Sequence, residues 1–166
     1  MIRTVNGSKI IPKTLRVSKG FHTYRNISKM LTSVADRDIL IIEDSIAQAG
    51  VISDFLKTLN YKEIHACYDG KSGIKKFLEL SSSNRLPLVF LDYYLPDMDA
   101  VPLFEELIKA QPKTKVIINS VARKDEAGIS YLIQHGAYHF LQKPFSFEDL
   151  KEVMETFEKE QSALGK

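Results

Sequence analysis

The chain has 166 residues, 44% of them hydrophobic and 27% charged, with a formal net charge of +2. That length and balance suit one soluble domain with a real core plus an appendage. No apolar run approaches membrane-spanning length, and the N-terminus lacks the continuous apolar segment of a secretory signal. Cys67 is the single cysteine, which excludes an intrachain disulfide and favours a cytoplasmic location.

Charge divides the chain in two. Residues 1–37 carry Arg3, Lys9, Lys13, Arg16, Lys19, Arg25, Lys29 and Arg37 against Asp36 alone, a net of +7, so residues 38–166 sum to −5. Within the basic arm, Phe21, Tyr24, Ile27, Met30, Leu31 and Val34 fall near one helical face, which predicts an amphipathic helix. The reading is a basic extension over 1–37, a domain over 38–160 and a short tail over 161–166.

The body alternates two periods. Ile39 to Glu43 is a short apolar run ending in acid, read as a buried strand. Ile52, Phe55, Leu56 and Leu59 follow at helical spacing up to Asn60. Residues 63–68 alternate like a strand, and Ile74, Phe77, Leu78 and Leu80 give the second helix. "SSSNR" at 81–85 reads as an exposed loop before a third strand, Leu86 to Leu91. Pro102 suits the first turn of the third helix, where its missing N–H leaves nothing unpaired. Residues 115–120 form strand four, Glu126 to His135 a helix stopped at Gly136, and 138–142 strand five. Ser146 and Asp149 form a partial capping box for the last helix, which carries Leu150, Val153, Met154 and Phe157. Five β-then-α units predict an α/β fold, a five-stranded parallel doubly wound sheet whose strands are buried on both faces.

In an open parallel sheet, ligands bind beyond the carboxyl ends of the strands. There the sequence places Glu43-Asp44 after strand one, Asp92 after strand three, Ser120 at the end of strand four and Lys143 after strand five. Three converging carboxylates repel unless a cation joins them, and an all-oxygen set suits Mg²⁺. Lys143 supplies a compact charge for a phosphate oxygen and Ser120 a hydroxyl. The ensemble can place a phosphoryl group on a carboxylate, with Asp92 as nucleophile and Glu43 and Asp44 as metal acids.

Four other readings fit less well. "DGKSG" at 69–73 lacks the earlier glycine of a phosphate-binding loop, since His65 stands there. A haloacid-dehalogenase-type phosphatase wants a second aspartate two residues after the nucleophile, where Tyr94 stands. His135, His139 and Cys67 make a poor zinc set, because Gly136 separates the histidines; His135 suits the carbonyls of a helix end. An arm of 37 residues with one helix is too short for a helix-turn-helix unit with its own core.

Together, Glu43-Asp44, "LDYYLPDMDA", Ser120, "HGAYHFLQKPF" and the final helix resemble the receiver domain of two-component response regulators. The resemblance covers about residues 38–160 and has the flavodoxin-like receiver fold. It implies transfer of a phosphoryl group from a sensor histidine kinase or phosphotransfer protein onto Asp92, followed by self-catalysed hydrolysis. It further implies that the backbone carbonyl of Tyr94 completes the protein ligands to Mg²⁺. Ser120 and Phe140 would act as the switch pair, and Lys143-Pro144 would be cis. Ala100 replaces the usual glycine of the loop after Asp92, and would be strained if φ were positive there. The expectation is a stand-alone regulator whose output is contact with a downstream protein target, with a homodimer also open. The competing expectations are a nucleic-acid-associated regulator anchored by the basic arm, and a scaffold that is never phosphorylated.

Overall fold

The computed structural model describes residues 37–83 and 85–164. Five strands, β1 (Asp38–Ile42), β2 (Glu63–Cys67), β3 (Leu88–Asp92), β4 (Lys115–Ser120) and β5 (His139–Gln142), alternate with five helices. These are α1 (Ile46–Thr58), α2 (Gly70–Ser82), α3 (Ala100–Ala110), α4 (Ala127–Gln134) and α5 (Phe147–Leu164). All pairings are parallel, in the order β2-β1-β3-β4-β5. The chain leaves β1 to one side for β2 and returns on the other for β3. The strand order therefore reverses between β1 and β3, where such sheets open a crevice.

The apolar runs become the central strands because each residue in turn faces one of two cores. Leu40, Ile42, Val89, Leu91, Val116 and Ile118 point to the side covered by α2, α3 and α4. Ile39, Ile41, Leu88, Phe90 and Ile117 point to the side covered by α1 and α5. Phe77, Phe90, Phe104 and Phe157 are each at most 1% exposed, so each contributes a full side chain's burial, about 1.5–3 kcal/mol. β2 is an edge strand and is less buried than its neighbours, with Glu63 and Ala66 exposed.

Helix ends follow local chemistry. Asp69 accepts from the Ser72 N–H at 2.8 Å to cap α2. Ser146 and Asp149 exchange bonds as a reciprocal box, Ser146 N–H to Asp149 at 2.7 Å and Asp149 N–H to Ser146 Oγ at 3.2 Å. α1 ends before Asn60, whose φ of 70° places it in the left-handed region that asparagine tolerates.

Three expectations change in detail. The serines after Leu80 are not all loop: α2 continues through Ser82, and the Ser82 and Ser83 hydroxyls donate to the Glu79 carbonyl at 2.8 and 3.2 Å. Leu78 belongs to the exposed face of α2, whereas Phe77 and Leu80 are fully buried. Ala100 is not strained, because it opens α3 after Asp99 instead of occupying a left-handed turn. The amphipathic helix expected within residues 21–34 lies outside the described residues.

Candidate functional site

The carboxyl edge of the sheet is fixed by ladder bonds that continue past the strands. Glu43 N–H donates to the Cys67 carbonyl at 3.0 Å, Tyr93 N–H to Asn119 at 3.3 Å, and Lys143 N–H to Ser120 at 2.7 Å. The residues just beyond β1, β3, β4 and β5 are thus held side by side, and the sequence-predicted acids, hydroxyl and lysine meet at one edge.

Lys143 is the hub. Its Nζ lies 2.7 Å from Glu43 Oε2 and 3.0 Å from Asp92 Oδ2, with the lysine side chain only 8% exposed. Glu43 is fully buried and Asp92 nearly so, whereas Asp44 opens to solvent. One oxygen from each of Glu43, Asp44 and Asp92 lies within 4.8 Å of the others. Burial pushes the Glu43 carboxyl above the usual range; the Lys143 contact opposes this and the neighbouring Asp92 charge reinforces it. Three clustered carboxylates, one of them reachable from solvent, form a hard, all-oxygen donor set that fits Mg²⁺.

The other predicted residues take distinct places. Tyr94 is 52% exposed, its N–H donates to Asp92 Oδ1 at 3.4 Å, and its ring meets Tyr93 edge to face at 4.9 Å. Ser120 is fully buried, and its Oγ accepts the Ala122 N–H at 3.0 Å. Phe140 sits beside Ile118 on β5, half-buried against the core under α3 and α4. The Lys143-Pro144 peptide is cis.

Two contributors were not singled out from the sequence. Asn119, fully buried at the end of β4, donates from Nδ2 to Glu43 Oε2 at 3.0 Å. An amide inside a strand end gives no periodic signal, and only the register with Asp92 reveals its position. Asp97 accepts the Gly70 and Lys71 N–H groups at 2.7 and 3.0 Å, tying the loop after β3 to the α2 N-terminus. Those bonds, the Gly70 one foremost, hold its carboxyl below the usual range. They also account for "DGKSG": the helix N-terminus already has an internal carboxylate as its anion.

A second group, Asp38, Glu63 and His65, has comparable spacing but belongs to the opposite edge. There Asp38 meets His65 at 2.8 Å and Arg85 at 3.3 Å, so its buried charge is compensated within the fold. His135 caps α4, its Nδ1 2.8 Å from the Tyr131 carbonyl, as expected for a helix end.

Comparison with known proteins bears on the family of this fold. The family model described as response regulator receiver domain matches residues 39–155. A probable chemotaxis protein CheY of Rhizobium etli is 32% identical over 74% of this chain and 94% of its own length. A probable C4-dicarboxylate response regulator, DctR of Bacillus subtilis, is 31% identical over 72% of this chain; the match spans 51% of that relative, about half its length. Among solved structures, a CheY-like receiver domain protein from Methanospirillum hungatei superimposes with a TM-score of 0.67 and 25% identity, covering 76% of this chain and 97% of that one.

Proposed function

We propose a function from one premise: this chain belongs to the response regulator receiver-domain family. Asp92 accepts a phosphoryl group from a phosphohistidine on a sensor histidine kinase or phosphotransfer protein, and the phosphorylated surface signals to a downstream protein. The observation that carries this reading is Lys143 bridging Glu43 at 2.7 Å and Asp92 at 3.0 Å inside the carboxylate cluster.

Glu43, Asp44 and Asp92, with the backbone carbonyl of Tyr94, would hold Mg²⁺, which when bound neutralises charge on phosphoryl oxygens. An Asp92 carboxylate oxygen forms the new O–P bond as the donor's N–P bond breaks. The departing imidazole keeps the bond's electron pair and takes a proton. Lys143 then exchanges a carboxylate for a phosphoryl oxygen without moving far, since its ammonium already touches Asp92. Ser120 answers the new charge by releasing the Ala122 N–H and turning its hydroxyl toward the phosphoryl group. One neutral hydrogen bond contributes about 0.5–1.5 kcal/mol and one to a charged group about 1.5–3, so the exchange is favourable provided the buried Ala122 N–H finds another acceptor. Phe140, beside Ile118 on β5, follows by repacking.

A protein donor is supported by the surface around the site. Ile46 (71%), Val51 (49%) and Val121 (63%) are exposed apolar side chains. Val51 and Val121 border a recess of about 390 Å³ that Lys143, Pro144 and Phe145 also line. A small donor has no use for such a rim, whereas a helical protein can cover it. Among the described residues no helix is long and apolar enough to cross a membrane.

The test is incubation with MgCl₂ and a small phosphodonor such as acetyl phosphate, followed by mass mapping of the base-labile acyl phosphate. Label on Asp92, lost in Asp92→Asn, is expected. Equal labelling of the Asp92→Asn chain and wild type would sink the assignment.

A further inference from the structure

We infer that Asn119 is a positioning residue: it fixes the Glu43 carboxylate so that Oε1 is the oxygen offered to a cation, and it keeps Glu43 oriented when Lys143 turns to a phosphoryl oxygen. This deepens the proposed function and rests on the metal role given there to Glu43.

The two oxygens of Glu43 are unequally engaged. Oε2 accepts from Lys143 Nζ at 2.7 Å and from Asn119 Nδ2 at 3.0 Å. Among the described residues Oε1 accepts only a long bond, from the Ser45 N–H at 3.4 Å. A carboxylate with one oxygen held by two donors has the other left for a ligand. The two donors differ in a second respect. Lys143 is shared with Asp92 at 3.0 Å, so any movement toward a group on Asp92 draws it from Glu43. Among the described residues the Asn119 side chain bonds to Glu43 alone, from a strand whose register with Asp92 is fixed.

The amide also carries a cost that a purely apolar strand residue would avoid. Asn119 is fully buried, and its Oδ1 has no hydrogen-bond partner among the described residues. Reversing the amide would not relieve this, because Oδ1 would then face the Glu43 carboxylate. Neighbours on the same strand, Val116, Ile117 and Ile118, are apolar and equally buried. A half-satisfied amide at the next position is therefore explained by its bond to Glu43, as partners behind metal-ligating carboxylates orient the ligand.

The test is calorimetric titration of the full chain with MgCl₂, in wild type, Asn119→Val, Glu43→Gln and the double variant, with urea unfolding of each in EDTA. Asn119→Val is expected to weaken Mg²⁺ binding about 10- to 100-fold, the usual effect of losing such a partner. In the Glu43→Gln background the same change should add less than about twofold, because the amide acts through Glu43. Wild-type affinity in Asn119→Val, or an undiminished loss in the Glu43→Gln background, overturns the assignment while leaving the site reading intact. Wild type without measurable Mg²⁺ binding overturns both. Failure of both Asn119→Val and Asn119→Ala to fold in EDTA would make Asn119 a structural requirement and overturn the positioning role.

Discussion

Lys143 donates to Glu43 at 2.7 Å across a sequence separation of 100 residues, joining the end of β5 to the end of β1. Both side chains are shielded, at 8% and 0% exposure, so the pair is a buried one. Its attraction offsets the desolvation of two charges and adds little net stability over an apolar pair. Removing one partner is different, because the other charge is then left buried alone.

Lys143→Met should therefore destabilise the fold by about 3–5 kcal/mol at pH 7 in EDTA, measured by urea unfolding. Adding Glu43→Gln to that variant should recover a large part of the loss. A single variant within about 1 kcal/mol of wild type would show that solvent reaches Glu43 freely.

Glu43 also sets a pH dependence. Burial, with help from Asp92 and against Lys143, raises its folded-state pKa above the ordinary 4.5. A raised carboxyl binds its proton more tightly in the folded chain. Its favourable contribution is complete below pH 4.5 and is lost as pH rises through the folded-state value. Glu43→Gln removes this dependence. Relative to wild type in EDTA, that variant should gain stability as pH rises above about 4.5 and then level off. Unfolding midpoints whose difference stays flat from acid to neutral pH would refute the buried-carboxyl account.

The fold was legible because its strands are buried on both faces, and Leu88 to Leu91 can satisfy that only as a central strand. The acids were legible for a related reason: Glu43 and Asp92 each follow such a run directly, and parallel strands put those ends together. What stayed hidden depends on register. Asn119 becomes visible only when β4 is set against β3, which pairs it with Asp92. The Asp38–His65–Arg85 cluster likewise needs β1 beside β2, pairing Asp38 with Glu63. Helix ends were missed where serine acts through its hydroxyl: composition marks Ser81 to Ser83 as loop, but bonds to the Glu79 carbonyl extend α2.

On the proposed function, Ser120 would separate phosphorylation from response. Its hydroxyl is occupied by the Ala122 N–H at 3.0 Å, away from the acids' own bonds. Ser120→Ala should still be labelled on Asp92, but the amide-exchange change across β4 and β5 on phosphorylation should shrink. Matching exchange changes in variant and wild type would remove Ser120 from the switch.

Tyr94 bears on lifetime. Its backbone meets Asp92 Oδ1 at 3.4 Å, while its ring, in edge-to-face contact with Tyr93, is half-exposed. Hydrolysis needs water in line with the breaking P–O bond, and a ring as bulky as Tyr94's would obstruct it if it lay on that path. Tyr94→Asn should shorten the acyl-phosphate half-life several-fold, read from phosphate release. An equal or longer half-life would place the ring off the water's path.

The basic arm meets the body at Arg37, whose guanidinium lies 4.7 Å above the Phe157 ring and 3.9 Å from Glu158. Residues 1–37 carry +7, and α5 carries −4, with six acids, Glu148, Asp149, Glu152, Glu155, Glu158 and Glu160, against Lys151 and Lys159. The opposite charges of the two segments, and the apolar residues from Phe21 to Val34 in the sequence, motivate the prediction that residues 1–36 pack on α5. Deleting residues 1–36 should then lower the melting temperature or change the oligomeric state. Burying one large apolar side chain is worth about 1.5–3 kcal/mol, so on this prediction the loss of even two such contacts is measurable. Nucleic-acid binding predicts something else: an affinity that falls with salt at a log–log slope of about −0.9 per phosphate contacted on duplex DNA. A truncated chain that melts like the full one, keeps its mass in solution and loses a salt-sensitive affinity for DNA would assign the arm to nucleic acid instead of to α5.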